Sequence, residues 1–175
     1  MTERLHTRVR SGIRLDERGR FWHDGELVKH PAIVRAWSRG LERAADGRYL
    51  IRFGSDWAFV TVDDAPFVVR RVVEGEEGLE VLLPDDTREP LDPRFLARSP
   101  EQVVYCRVKG DHRARLSRQA QLDLMPFLRE EGGGFFFTFG DRSWPIGDNP
   151  GHPPPRPEDG PAPPDDEGPP RRSAQ

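Results

Sequence analysis

The chain has 175 residues, 35% hydrophobic and 33% charged, with 27 Lys plus Arg against 30 Asp plus Glu and a formal net charge of −3. That length holds one compact body or two small fused subdomains, and so near a charge balance argues against bulk affinity for nucleic acid or anionic lipid. No stretch approaches the roughly 18 apolar residues of a membrane span, the charged N-terminus Met1 to Arg8 has no apolar signal core, and the single Cys106 cannot form an internal disulfide. A cytoplasmic protein without a membrane partner is therefore expected.

In chain order, Ile13 and Leu15 alternate with Arg14 and Asp16, Arg18-Gly19 turns the chain into Arg20 to His23, and Asp24-Gly25 turns it back into Glu26 to Val28. Asp-Gly between such runs favours a tight two-residue hairpin. Pro31 suits a first helical position, and Ile33, Val34, Trp37, Leu41 and Ala44 form one apolar stripe that Gly47 stops. Tyr49, Ile51 and Phe53 alternate as a strand, residues 54 to 56 turn it, and Trp57 to Val62 returns.

Val68 to Val73 and Leu79 to Leu83 read as a further hairpin around Glu74 to Gly78, and the four prolines from Pro84 to Pro100 predict an irregular connector. Val103 to Val108 and His112 to Leu116 flank the turn Lys109-Gly110-Asp111, Ser117 is a fair N-cap, and Leu122 to Leu128 has a helical pattern. Pro126 removes a donor and clashes with the preceding turn, so a kink or early end is expected near Met125. Phe135-Phe-Phe-Thr-Phe-Gly-Asp-Arg-Ser-Trp144 then echoes Tyr49-Leu-Ile-Arg-Phe-Gly-Ser-Asp-Trp57, with Phe53-Gly54 matching Phe139-Gly140 and one extra residue assigned to the second loop. Its large aromatics, Phe135, Phe136, Phe137, Phe139 and Trp144, are expected in the core.

From Gly147 onward ten of 29 residues are proline, with no Phe, Tyr, Trp or β-branched residue. Such a composition offers too little apolar burial to offset its ordering entropy. The expected fold is α+β: two similar strand-strand-helix-strand-strand units packed together, residues 12–73 and 79–146, with mainly antiparallel sheets and a disordered Pro-rich tail over 147–175.

The most individual stretch is Val60-Thr-Val-Asp-Asp-Ala-Pro-Phe-Val-Val69, where two carboxylates precede a proline inside an apolar strand. Pro66 holds Ala65 extended and denies a ladder its donor, so Asp63 and Asp64 lie at a strand end, bulge or turn. There they can accept backbone N–H bonds; or they can present oxygen to a ligand or cation, or act as acid and base. Their adjacency puts the two side chains on opposite faces of a strand, which hinders a joint role.

The run Gly12-Ile-Arg-Leu-Asp16, the phrase Gly19-Arg-Phe-Trp-His-Asp-Gly-Glu26, the helix opening His30-Pro-Ala-Ile-Val-Arg35 and Val62-Asp-Asp-Ala-Pro-Phe-Val68 resemble the bacterial domain of unknown function family 1285. The resemblance is densest over residues 12 to 70 and looser to 146. It implies an α+β fold with a repeated structural motif and a part in signalling, with no assigned activity, and Asp64, Pro66 and Phe67 are the positions most like the family's signature.

His23, His30 and His112 sit near turns or helix starts, without the spacing of a metal set. The chain carries no phosphate loop, nucleophile elbow or dinucleotide fingerprint. Arg107, Lys109, Arg113, Arg115 and Arg118 form one basic cluster, readable as a charged strand edge or as a seat for phosphate or RNA; nucleic acid is not the expected partner. The favoured reading is a non-catalytic module that binds an unidentified small molecule or protein, possessing neither cofactor nor metal, with Asp63, Asp64, Pro66, Phe67, Trp57 and Trp22 as candidate ligand-binding residues. The alternative is a small hydrolase-like enzyme using Asp63 or Asp64 with His23, aided by a divalent cation.

Overall fold

The structure, a computed structural model, describes residues 8–161. It is α+β, mostly strand, and its chain divides after Pro66 into two compact units, with the segment from Pro153 returning to the first.

The first unit opens as a three-stranded meander, β1 (Ile13–Leu15), β2 (Phe21–His23) and β3 (Glu26–Leu27). Two turns shape it. Asp24 (φ 48°) and Gly25 (φ 81°) make the two-residue hairpin turn that Asp-Gly favours, with His23 paired to Glu26. Between β1 and β2 the buried Asp16 carboxylate accepts hydrogen bonds from the backbone N–H of Arg18 and Arg20, from Arg20 Nε and from Trp22 Nε1 at 2.8 to 3.0 Å. Burial pushes the Asp16 carboxyl up, but the bonds from Trp22, Arg20 and Arg18 outweigh it and hold its pKa below the usual value.

Helix α1 (Pro31–Arg39) follows, with proline in its first turn as expected. It ends sooner than the stripe suggests. Gly40 donates to Ala36 O and accepts from Arg52 N, and a Cβ at this position would lie 2.2 Å from Arg52 O. Only glycine lets the chain touch the neighbouring strand so closely, so Leu41 and Ala44, taken from sequence as helical, instead belong to strand β4 (Leu41–Arg43) and the turn after it. Leu41 and Ala44 are buried at 8% and 1% exposure, because apolar residues flanking Glu42 and Arg43 satisfy a strand as well as a helix. Gly47 serves the following turn rather than a helix stop, donating to Ala44 O.

Strands β5 (Tyr49–Phe53) and β6 (Asp56–Val62) complete a second meander. Beyond their hairpin, β6 pairs in parallel with β1 (Arg14 with Thr61, Leu15 with Val62), giving the order β3-β2-β1-β6-β5-β4. Leu50, Trp57 and Phe59 cluster beneath it.

The proline-rich tail is more ordered than its composition suggests. Residues 147–161 have defined positions, while the rest of that expectation, 162–175, lies outside the described residues. Gly147 exchanges backbone bonds with Leu96 and Arg98, and residues 157–161 are held by Arg48, 3% exposed, whose Nη1 and Nη2 donate to the carbonyls of Pro157 and Pro161 while its Nε binds Asp46 and its guanidinium lies 4.2 Å from the Phe59 ring centre. A fork of donors supplies hydrogen bonds that the prolines, lacking N–H, cannot make among themselves.

The second unit begins with β7 (Phe67–Val69), β8 (Arg71–Glu74), β9 (Leu79–Leu82) and β10 (Arg88–Pro90). Sequence alone joins residues 68 to 73 into one strand; the structure breaks them at the exposed Arg70, sending β7 to one sheet and β8 to another. The stretch from Pro84 to Pro100 is also less irregular than its prolines imply, holding β10, a short 3₁₀ turn (Pro93–Phe95) and β11 (Ala97–Arg98), because Leu91 and Leu96 are buried between the prolines.

Next come β12 (Val104–Val108) and β13 (His112–Leu116), turned through Lys109 (φ 49°) and Gly110 (φ 91°). Helix α2 (Arg118–Leu124) is capped by Ser117, whose hydroxyl accepts from Ala120 N, and gives way at Met125 to a 3₁₀ turn carrying Pro126. The early end expected there is observed. Strands β14 (Leu128–Glu131), β15 (Gly134–Phe139) and β16 (Arg142–Pro145) form the closing meander. Of its aromatics, Phe137 is buried at 3% exposure, at the centre of the face it shares with Phe135 and Phe139, whereas Phe135, Phe136, Phe139 and Trp144 are half-buried. Strand order is β11-β12-β13-β7 and β10-β9-β8 in the other two sheets, with β13 and β7 parallel. Just past β16, Gly147 bridges Ala97 in parallel.

Candidate functional site

The six sequence candidates do not converge. β6 ends at Val62, and the Asp63-Asp64-Ala65-Pro66 bend carries the chain to β7. Asp63 N–H donates to Leu15 O at 3.0 Å, and its carboxylate accepts from Arg14 Nε at 2.8 Å, so Asp63 fastens the β1–β6 junction. Asp64 is half-buried and also partnered; Pro66 and Phe67 are buried. Phe67 packs in the second unit, edge-on to His112 at 5.4 Å. Trp22 is occupied in the first turn by Asp16 and by Arg20, whose guanidinium lies 5.4 Å from its ring centre. His23, the histidine of the alternative reading, lies 3.6 Å from Asp24. Among the described residues no three His, Cys, Asp or Glu side chains group as a metal site would need.

Trp57 is different. It sits on β6 opposite Arg52, on the face it shares with Phe59. The ring is 5% exposed, yet its Nε1–H, buried from solvent, has no hydrogen-bond partner among the described residues. Leaving such a donor unmatched costs about 1–3 kcal/mol. The same ring forms part of the wall of a cavity of about 270 Å³, which Trp37 of α1, Ile13 of β1 and Ile51 and Phe53 of β5 also line. Phe53 is 65% exposed at the mouth, and Arg8 holds its guanidinium 4.7 Å from the Trp57 ring centre. The apolar stripe of α1 contributes here rather than to a sealed core: Trp37 is half-buried, 5.4 Å from Phe21, and Ile33 is 42% exposed. Sequence reasoning paired Trp57 with Asp63 and missed Trp37, Phe53 and Arg8; exposed aromatics at the end of a tight hairpin were the available signal.

The second unit contains a larger cavity, about 620 Å³, walled by Phe95, Leu96, Tyr105, Arg107, Arg113 and Pro145 among others. Lys109, assigned from sequence to the neighbouring basic cluster, is used elsewhere. Its ammonium binds the buried Asp85 and its N–H donates to Glu89, so this residue anchors the turn. Burial pushes the Asp85 carboxyl up, while Lys109 and Thr87 more than compensate and keep it below the usual carboxylate range. The Cys106 thiol, walled off in the same hairpin, is pushed up by burial to about 12, which leaves it un-ionised and unreactive near neutral pH.

Comparison with solved structures places this fold. A protein of the domain of unknown function family 1285 from Silicibacter pomeroyi DSS-3 is similar with a TM-score of 0.62 and 23% identity, over 78% of this chain and 80% of that one. A family 1285 protein from Shewanella baltica OS155 is similar with a TM-score of 0.55 and 15% identity, over 66% of this chain and 91% of that one. No family model matches the sequence, and no curated protein does. The likeness is one of fold, the one that the sequence resemblance implied.

Proposed function

We propose that this chain, with the fold of family 1285 proteins, is a non-catalytic binding module whose ligand occupies the Trp57 cavity of the first unit. The observation that carries this reading is Trp57, whose buried Nε1–H has no partner among the described residues and whose side chain borders a cavity lined by Arg8, Ile13, Trp37, Ile51, Phe53, Asp56 and Ala58. Pockets for small molecules combine apolar walls with a few polar groups that fix orientation. Here those groups are the Arg8 guanidinium and the Asp56 carboxylate on the wall and the indole donor behind it, so in this reading the ligand is a compact apolar body whose carbonyl or carboxylate acceptor is met by Arg8 and the indole. Asp63, with its carboxylate on Arg14, holds the sheet together in this reading and does no chemistry.

In this reading the module serves bacterial signal transduction in the cytoplasm. Thermal-shift screening of nucleotides and metabolites, repeated on Trp57→Phe, tests the proposal. A carboxylate or carbonyl compound that raises the melting temperature of the wild type and not of Trp57→Phe is the expected result; equal shifts in both would overturn it.

A further inference from the structure

The cavity beside Trp57 carries two opposite charges that do not meet. Asp56 opens β6 and pairs with Phe53 across the hairpin, and Ile51 pairs with Ala58. Side chains directly opposite in a ladder share a face, as do those two apart along a strand. Asp56 therefore stands beside Phe53 at one end of an apolar floor made by Ile51 and Ala58, and all four line the cavity. Arg8 lines it too, its guanidinium 4.7 Å from the Trp57 ring centre. Stacking uses the flat face of a guanidinium and leaves its donor edge open. Among the described residues, neither the Arg8 nor the Asp56 side chain makes a hydrogen bond or ion pair, with each other or with a third group. Elsewhere in this unit Asp16, Asp46, Asp63 and Glu42 are each matched to an arginine.

We propose that the ligand of this cavity is a free α-amino acid with an apolar side chain, an inference that rests on the cavity being the binding site. The carboxylate of the amino acid meets the donor edge of Arg8. Its ammonium meets Asp56, where the neighbouring Phe53 ring adds the attraction of an aromatic face for a cation. Its side chain lies against Ile51 and Trp37. A zwitterion satisfies both charges at once, whereas a plain acid is repelled by Asp56 and a plain amine by Arg8, so the same pair that attracts also discriminates. The volume of about 270 Å³ lies just below the ~300–1,000 Å³ of common small-molecule pockets, which favours a single amino acid over a nucleotide.

Titration calorimetry on the full chain with L-phenylalanine, L-leucine and their deaminated and decarboxylated analogues tests this. Saturable binding of an amino acid is expected, weakened about tenfold or more in each analogue for the loss of one charge-assisted contact. Asp56→Asn should weaken the amino acid by a similar factor and leave the deaminated acid unchanged, which also shows that the variant is folded. Arg8→Gln should weaken both. A deaminated acid that binds as tightly as the amino acid, or wild-type affinity for the amino acid in Asp56→Asn, would overturn the zwitterion while leaving the cavity its acid ligand. Absence of saturable binding by both amino acids would also overturn it, and the separate screen on Trp57→Phe then decides whether the cavity binds another compound.

Discussion

The first unit runs meander, helix, meander, with β6 returning in parallel to β1, whereas the second places β7 and the β8-β9-β10 sheet ahead of the strands that precede its helix, and its Gly147 bridges Ala97 of β11 in parallel. Their second hairpins diverge by one residue. Both turn through two residues, with Gly54 at φ 61° and Gly140 at φ 58°, so the extra residue that sequence assigns to the second loop lies in the strand instead. Trp57 therefore stands one rung beyond the Phe53–Asp56 pair, while Trp144 stands two beyond Phe139–Arg142, opposite Phe137. Because side chains alternate with period two, that step reverses the face of the sheet. One tryptophan packs on Phe137 at 5.8 Å, and the other borders a cavity with its donor unspent.

Each unit also pairs a cation with a carboxylate, Arg48 with Asp46 and Lys109 with Asp85, and removing that cation is the strongest way to break the comparison. Arg48→Met takes away the fork that holds Asp46 and two tail carbonyls, and should cost about 3–5 kcal/mol in urea denaturation. Lys109→Met in the second unit leaves Asp85 buried without its counter-ion. A cost of about 2 kcal/mol is expected, smaller because Lys109 is itself partly exposed. Equal losses would mean that the tail carbonyls contribute nothing to the first unit.

Acid should weaken both units through Asp16 and Asp85. Each carboxyl is held below its ordinary value, so the folded chain keeps it ionised where the unfolded chain takes up a proton. The stabilisation is complete above the unfolded value of ~3.9 and is lost as pH falls through the folded values. Urea midpoints measured from pH 6 downward should therefore decline, and Asp16→Asn and Asp85→Asn should each flatten the decline. The smallest expected effect is that of Trp57→Phe on stability. Relief of a buried unpaired donor, about 1–3 kcal/mol, offsets the volume lost from the ring, leaving a net change within about 1 kcal/mol.

Much of this architecture is legible in the sequence because local chemistry decides it. Asp24-Gly25, Ser117 and Pro126 act over a few residues, and each does what its type dictates. The end of α1 at Gly40 was not legible, since it depends on the approach of Arg52, twelve residues on, and Leu41 and Ala44 fit a helix and a strand equally. The split at Arg70 and the docking of residues 157–161 are likewise set by partners distant in sequence: β13 for one, Arg48 for the other. At the candidate site, sequence supplied Trp57 but paired it with carboxylates that the structure spends on the sheet, because an ion pair such as Arg14–Asp63 leaves no local pattern.

The four tryptophans, Trp22, Trp37, Trp57 and Trp144, offer the most direct test of the central claim, that Trp57 keeps its donor for a ligand. Their indole N–H resonances can be followed by nitrogen–proton correlation spectroscopy while a compound found by thermal shift is titrated. The Trp57 resonance should move downfield as its hydrogen bond forms, with Trp22, already bonded to Asp16, unmoved. A bound compound that shifts Trp144 or Trp22 and leaves Trp57 in place would contradict the account.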